Sequence, residues 1–187
     1  IAIMLGQTSM LGDLLFDHWM EDSQRDIFLP RFIENETFHL SCAGRIPEIS
    51  NSWCYHGNLH EEPKAGLTAV REGNEWIIDG SVSYVANAPI AELFIVMAET
   101  GSNGTRADGT KGLLVSRNTP GFTINASKNA VGESDINWRH GCGTGVEFNS
   151  CKVPLENQIC EHEKTLVIGE HYSRQISLQT AAINLGL

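Results

Sequence analysis

The sequence predicts an α+β chain in which an antiparallel β-barrel or sandwich is set between helical segments. Three observations carry this. Apolar residues recur at helical spacing at both ends, and short strand-like runs punctuated by Gly, Asn and Asp fill the middle. The order is helix, many short strands, helix, with no internal repeat, which disfavours a βαβ fold.

Between Ile1 and Met20 the apolar residues are Ile3, Met4, Met10, Leu11, Leu14, Leu15, Phe16 and Trp19, and the spacing of Leu11, Leu14 and Leu15 gives a helix one buried face. A short polar helix over residues 21–28 is expected to stop at Pro30. Residues 38–43 (FHLSCA) read as a strand, and after Pro47 the segment EISNSWCYHGNLHEEP is irregular. Residues 66–72 and 75–78 flank Gly73-Asn74, a hairpin turn, and Asp79-Gly80 is expected to turn the chain again before SYVANA. Residues 92–98 (ELFIVMA) have the unbroken apolar character of a buried strand, and TGSNGTRADGTKG is an exposed hairpin tip. Strands resume at 113–116, 122–125 and 144–148. Beyond Val153-Pro154 a last helix is expected, with Leu178, Ala181, Ala182 and Leu185 forming an amphipathic stripe that is still running at Leu187. Because Ile1 also lies inside an apolar pattern, the chain is expected to be part of a longer protein.

Composition narrows the function classes. The 187 residues, 41% hydrophobic and 19% charged, suit one globular core or one domain with parts of its neighbours. The net charge is −10 and the 13 Lys and Arg are scattered, so the basic stripe of a nucleic-acid surface is missing. No apolar run reaches the roughly 20 residues of a membrane span, and no signal-peptide pattern is visible. The expected compartment is the cytoplasm, or the mitochondrial matrix in a eukaryote. Five cysteines, Cys42, Cys54, Cys142, Cys151 and Cys160, form no C-x-x-C pair and are odd in number, which favours reduced thiols over a disulfide framework. The sequons at Asn35, Asn103 and Asn125 read as chance matches. His56 and His60 have no further ligands at matching spacing, so no metal is expected.

Several segments in order resemble the acyl-CoA dehydrogenase superfamily. DHWMEDSQRDIFLPRF resembles a helix leading into L-P. GNEWIIDGSVSYVANAPIAELFIVMAET is similar to G-x-x-Y-x-L-N-G-x-K-x-W-I-T-N-A followed by a strand ending in A-x-T. GTKGLLVSRNTPGFTI, GVEFNSCKVPLENQI and the closing AAINLGL resemble the segments that follow. The resemblance implies the end of an N-terminal helical domain over 1–37, a middle β-barrel domain over 38–160 and the start of a C-terminal helical bundle over 161–187.

What the family implies chemically is FAD-dependent α,β-desaturation of an acyl-CoA or acyl-carrier thioester, with a carboxylate taking the α-proton. It further implies a homo- or hetero-oligomer, dimer or tetramer, and admits an electron-transfer flavoprotein as partner. The W-I-T positions, which pack on the flavin, correspond to Tyr84, Val85 and Ala86; Ala86 lacks the hydroxyl, and Tyr84 also reads as an ordinary core aromatic. A second flavin and substrate segment, T-E-P-x-A-G-S-D in the family, corresponds here to Cys42, Gly44, Arg45, Ser50 and Asn51 around Pro47. Arg45 replaces the Thr and Ile46 the Glu. Arg45 could hold a flavin oxygen or phosphate, or stand solvated at the surface. Ser50 and Asn51 are the candidates for substrate. The insertion 53–60 is read as a reshaped lid. Arg139 lies near a G-x-R position, but Arg174 and Glu170 do not match family positions, so the catalytic base is left unassigned. The eroded motif also suits two alternatives: a flavin-dependent monooxygenase or oxidase of the same fold, and a non-catalytic subunit of a heteromeric dehydrogenase.

Overall fold

The computed structural model describes residues 2–44, 66–100, 109–125, 143–159 and 181. Helix α1 (Ala2–Gly12) runs straight into a π-helical segment, Asp13–Trp19, in which the Met20 N–H bonds the Leu15 carbonyl at 2.8 Å. The wider winding keeps Leu11, Leu14, Leu15, Phe16 and Trp19 all buried. Arg25 Nε donates to the Phe16 carbonyl at 2.7 Å, giving that group a partner. The face expected from the Leu11, Leu14, Leu15 spacing is the buried one.

Helix α2 (Asp22–Glu34) runs through Pro30, which the sequence reading takes as a stop. Pro30 is exposed, and so is Asp26, the residue whose carbonyl the proline deprives of a helical donor. Beyond it Phe32 packs 5.0 Å from Phe16 and 6.0 Å from Phe38, ring centre to ring centre. Packing on both sides of the proline holds the helix together. The buried Gln24 side chain then ties α2 to the far end of the chain: it accepts from Glu21 N–H at 3.1 Å and donates to the Gln158 and Glu156 carbonyls.

Eight strands follow: β1 (His39–Gly44), β2 (Leu67–Glu72), β3 (Glu75–Ala86), β4 (Ala91–Glu99), β5 (Thr110–Ser116), β6 (Phe122–Ile124), β7 (Gly143–Pro154) and β8 (Gln158–Ile159). They form one sheet in the order β6-β7-β3-β2-β4-β5-β8, with β1 paired to β4. The expectation of a purely antiparallel barrel needs correction. β1 runs parallel to β4, and β2 meets β4 in parallel at Thr68 and Glu99. The long connection from β1 to β4, which contains the β2–β3 hairpin, is what permits a parallel pair. Among the described residues no pairing joins β6 to β8, so the sheet is open.

β4 explains its own apolar run. Leu93, Ile95 and Met97 pack with the helical residues, whereas Phe94, Val96 and Ala98 pack in a second core with Trp76, Phe122 and Phe148. A strand covered on both faces has no polar face to show.

The Gly73-Asn74 hairpin forms as expected: Glu72 pairs with Glu75, and Gly73 takes φ +60°. Asp79-Gly80, by contrast, is no turn. β3 continues through it as a bulge, where Asn149 and Ser150 of β7 face Asp79 alone. Gly80 has φ +123°, and a β-carbon there would strike the Gly66 carbonyl oxygen. The Asp79 carboxylate accepts the Ser150 N–H at 2.7 Å, supporting that residue at φ +46°.

The start expected for the last helix also moves. Val153 and Pro154 end β7, and a 3-10 turn (Leu155–Asn157) leads into β8. Ile159 is buried against Gly112, and Asn157 Nδ2 donates to the Leu114 carbonyl at 2.9 Å, so packing on β5 keeps this segment extended. Of the expected amphipathic stripe only Ala181 is described, helical and exposed. The irregular segment after Pro47, the hairpin tip over 101–108 and the region 126–142 lie outside the described residues.

Candidate functional site

The end of β3 and its surroundings form the candidate site. Val82 pairs with Val146 and Val85 with Thr144, so Ser83 and Tyr84 together face Gly145 in a second bulge. Strand alternation past the bulge puts Tyr84 and Ala86 on one face and Val85 on the other. Tyr84 is 42% exposed and Ala86 half-buried, whereas Val85 is 2% exposed and packs in the second core. Any contact Val85 makes with a ligand therefore falls to its backbone. The Tyr84 ring lies across Gly143, where a β-carbon would stand 2.6 Å from the phenol oxygen. A ring laid on bare backbone, with a methyl group two residues on, makes a flat platform. Its shape and apolar character fit a planar ring system such as the flavin that the resemblance implies.

β1 stands beside this platform. Ser41, fully buried, donates from Oγ to the Ala86 carbonyl at 2.7 Å. The neighbouring Cys42 side chain turns the other way, against the helical core. Burial pushes its thiol up from 9.0 to about 12. Gly44 has φ +97°, and a β-carbon there would collide with the Met97 carbonyl oxygen, so its glycine is demanded by the backbone. The structure thus joins Tyr84, Val85 and Ala86 to β1 through Ser41 and not through the Cys42 side chain. Arg45, Ser50, Asn51, His56, His60, Arg139, Glu170 and Arg174 lie outside the described residues, as do the 53–60 insertion, Cys54, Cys142 and Cys160. Among the described residues no group of three His, Cys, Asp or Glu stands together to hold a metal ion.

Three contributors to the site escape the sequence reading. Gly143 is one glycine among several in RHGCGTG, and Ser41 has no pattern of its own. Asn87 stands at the N of the family's W-I-T-N-A, which is the signal by which it could have been found.

Cys151 is fully buried where Cys42 is half-buried, and its thiol is raised to about 11, first by burial and second by the Asp79 carboxylate. Both folded thiols hold their protons above the 9.0 of the unfolded chain. Stability from this source is complete below pH 9.0 and is lost as pH rises through about 11 and about 12. Urea midpoints measured upward from pH 8 should fall more steeply for the parent than for a Cys42→Ala, Cys151→Ala variant. Equal slopes would refute the assignment.

The comparisons with known proteins now bear on this arrangement. The fold matches the three-dimensional structure of butyryl-CoA dehydrogenase from Megasphaera elsdenii with a TM-score of 0.71 at 20% identity, over 96% of this chain and 43% of that one. That likeness establishes the class, an acyl-CoA dehydrogenase fold. In sequence, residues 60–146 match the acyl-CoA dehydrogenase middle domain. The chain is 30% identical over 173 residues to the short-chain-specific acyl-CoA dehydrogenase of Clostridium acetobutylicum, covering 87% of this chain and 38% of the relative. It is 27% identical over 165 residues to the mitochondrial isobutyryl-CoA dehydrogenase of Bos taurus, covering 84% and 37%. The chain belongs to the acyl-CoA dehydrogenase superfamily, and spans about two fifths of the length of these relatives. No helix among the described residues is long and apolar enough to cross a membrane.

Proposed function

We propose that this chain supplies the flavin-facing β-domain of an FAD-dependent dehydrogenase that desaturates an acyl thioester between its α- and β-carbons. The observation that carries the reading is the platform of Tyr84 and Ala86 over Gly143, at the positions where the family's flavin-packing residues stand. FAD held there supplies the hydride acceptor. Tyr84 contributes an aromatic surface, Ala86 a small side chain that lets a ring approach the strand, and Ser41 fixes the Ala86 carbonyl. Catalytic proton removal is assigned to no residue of this chain. The relatives, which include butyryl- and isobutyryl-CoA dehydrogenases, support a thioester of coenzyme A as substrate. The division into 1–37, 38–160 and 161–187, closure of the sheet in the complete protein and assembly into an oligomer belong to the same reading, as does a partner that drains electrons.

The test is the absorption spectrum of the full-length protein, purified and dialysed, before and after anaerobic addition of a mixed set of acyl-CoA thioesters. The two visible flavin bands should be present and should bleach. Flavin that stays unbleached would favour the monooxygenase or oxidase, and a protein without flavin the non-catalytic subunit. Tyr84→Ala should weaken FAD retention on the order of tenfold, the scale of losing one aromatic stacking partner. Unchanged retention would remove Tyr84 from the ring surface. Ala86→Thr should shift the flavin bands by placing a hydroxyl at the platform, and an unaltered spectrum would show that position 86 faces elsewhere.

A further inference from the structure

A cluster of buried and half-buried polar side chains connects the N-terminal helix to the platform. Thr8 of α1, His39 and Ser41 of β1, and Asn87 just past β3 come together across three elements distant in sequence. Thr8 Oγ1 lies 3.1 Å from His39 Nδ1, and Asn87 Nδ2 donates to the same Thr8 oxygen at 3.4 Å. One residue before Asn87, the Ala86 carbonyl accepts from Ser41 at 2.7 Å. Thr8, Ser41 and Asn87 are 8%, 0% and 1% exposed. A buried hydrogen bond lost among them costs more than one lost at the surface, because water cannot replace it.

The backbone at this point needs support. Asn87 takes φ +62°, a conformation few residues other than glycine adopt, although asparagine tolerates it better than most. Its carbonyl accepts the N–H groups of Ile90 and Ala91 at 3.0 and 2.9 Å, which turns the chain from β3 into β4. The direction in which β3 ends, and so the height of Ala86 relative to the Tyr84 ring, depends on how this turn is held.

We infer that Thr8, His39, Ser41 and Asn87 act as a positioning brace that sets the Ala86 end of the platform, and that through it helix α1 tunes FAD held against β3. This rests on the flavin reading given above. Thr8 lies on α1 and is bonded to the turn that follows the platform, so its effect on the flavin passes through Asn87. Thr8 Oγ1 accepts from Asn87 and is also bonded to His39 Nδ1, so one hydroxyl serves both neighbours. A threonine-to-valine change keeps the shape and removes both bonds, whereas threonine-to-serine keeps both.

The experiment uses the full-length protein and compares wild type with Thr8→Val, Thr8→Ser, Ser41→Ala and Asn87→Gly. It reads the dissociation constant for FAD, the visible flavin spectrum, the flavin reduction potential and thermal unfolding. Asn87→Gly keeps the positive φ accessible while deleting the bond to Thr8, so it stays foldable where a helix or strand variant fails. Thr8→Val, Ser41→Ala and Asn87→Gly should each weaken FAD binding roughly 5- to 10-fold, the scale on which buried hydrogen bonds act, and should shift spectrum and potential together. Thr8→Ser should restore wild-type values. A wild type that binds FAD, with folded variants that match it in affinity, spectrum and potential, would overturn the brace and leave the flavin reading standing. A wild type that binds no FAD would overturn both.

Discussion

Gly44→Val should destabilise the protein by about 3–5 kcal/mol, combining a disfavoured positive φ with overpacking against a neighbouring strand. Gly44 sits at φ +97° on the last residue of β1, and the space a β-carbon needs is taken by the Met97 carbonyl of β4. The obstacle is backbone inside a paired sheet, so no rotamer change relieves it; β1 must shift. The matched control is Gly73→Ala. Gly73 also has positive φ, +60°, yet a β-carbon there meets nothing within 4 Å. Its cost is conformational alone, roughly 1 kcal/mol. Urea unfolding of the two variants separates the effects. Equal, small losses would show that β1 can move away from β4 at no great cost, and Gly44 would then be no anchor for the strand beside the platform.

Phe94→Ala should cost about 3–5 kcal/mol, the range for truncating a buried aromatic. Phe94 is fully buried at the centre of β4. Its ring centre lies 4.7 Å from Phe122 of β6, which lies 4.7 Å from Phe148 of β7. This row joins the middle of the sheet to its far edge and fills the second core, so truncation leaves a cavity that two rigid rings cannot collapse into. Val70→Ala, at a position 55% exposed, removes methyl groups from water-facing surface and should change stability by no more than about 0.5 kcal/mol. A loss at position 94 no larger than at position 70 would mean that the aromatic row carries little of the core.

How far the site was legible follows from the kind of signal each residue carries. Tyr84 and Ala86 could be named as candidates because the family pattern is a run of neighbours in one strand. The structure then divided that run by face, turning Val85 inward and leaving Tyr84 out. Ser41, Thr8 and Asn87 meet only when α1, β1 and β3 are folded together, across separations of 45 and 79 residues for the bonds from Ser41 to Ala86 and from Asn87 to Thr8. No local pattern encodes such a meeting. Cys42 shows the reverse: it aligns beside the flavin segment, yet strand alternation aims its side chain at the helices.

By itself the sequence determined the family, the helical face of Leu11, Leu14 and Leu15, the hairpin at Gly73-Asn74 and the buried character of β4, because these rest on contiguous chemistry and on period. Tertiary structure decided the rest. It carried α2 past Pro30, since aromatic packing on either side outweighed one missing N–H in water. It made Asp79-Gly80 a bulge, because the facing strand β7 offered Ser150 for Asp79 to bond. It laid β1 parallel to β4, a choice that depends on what lies between two strands and not on the residues in either.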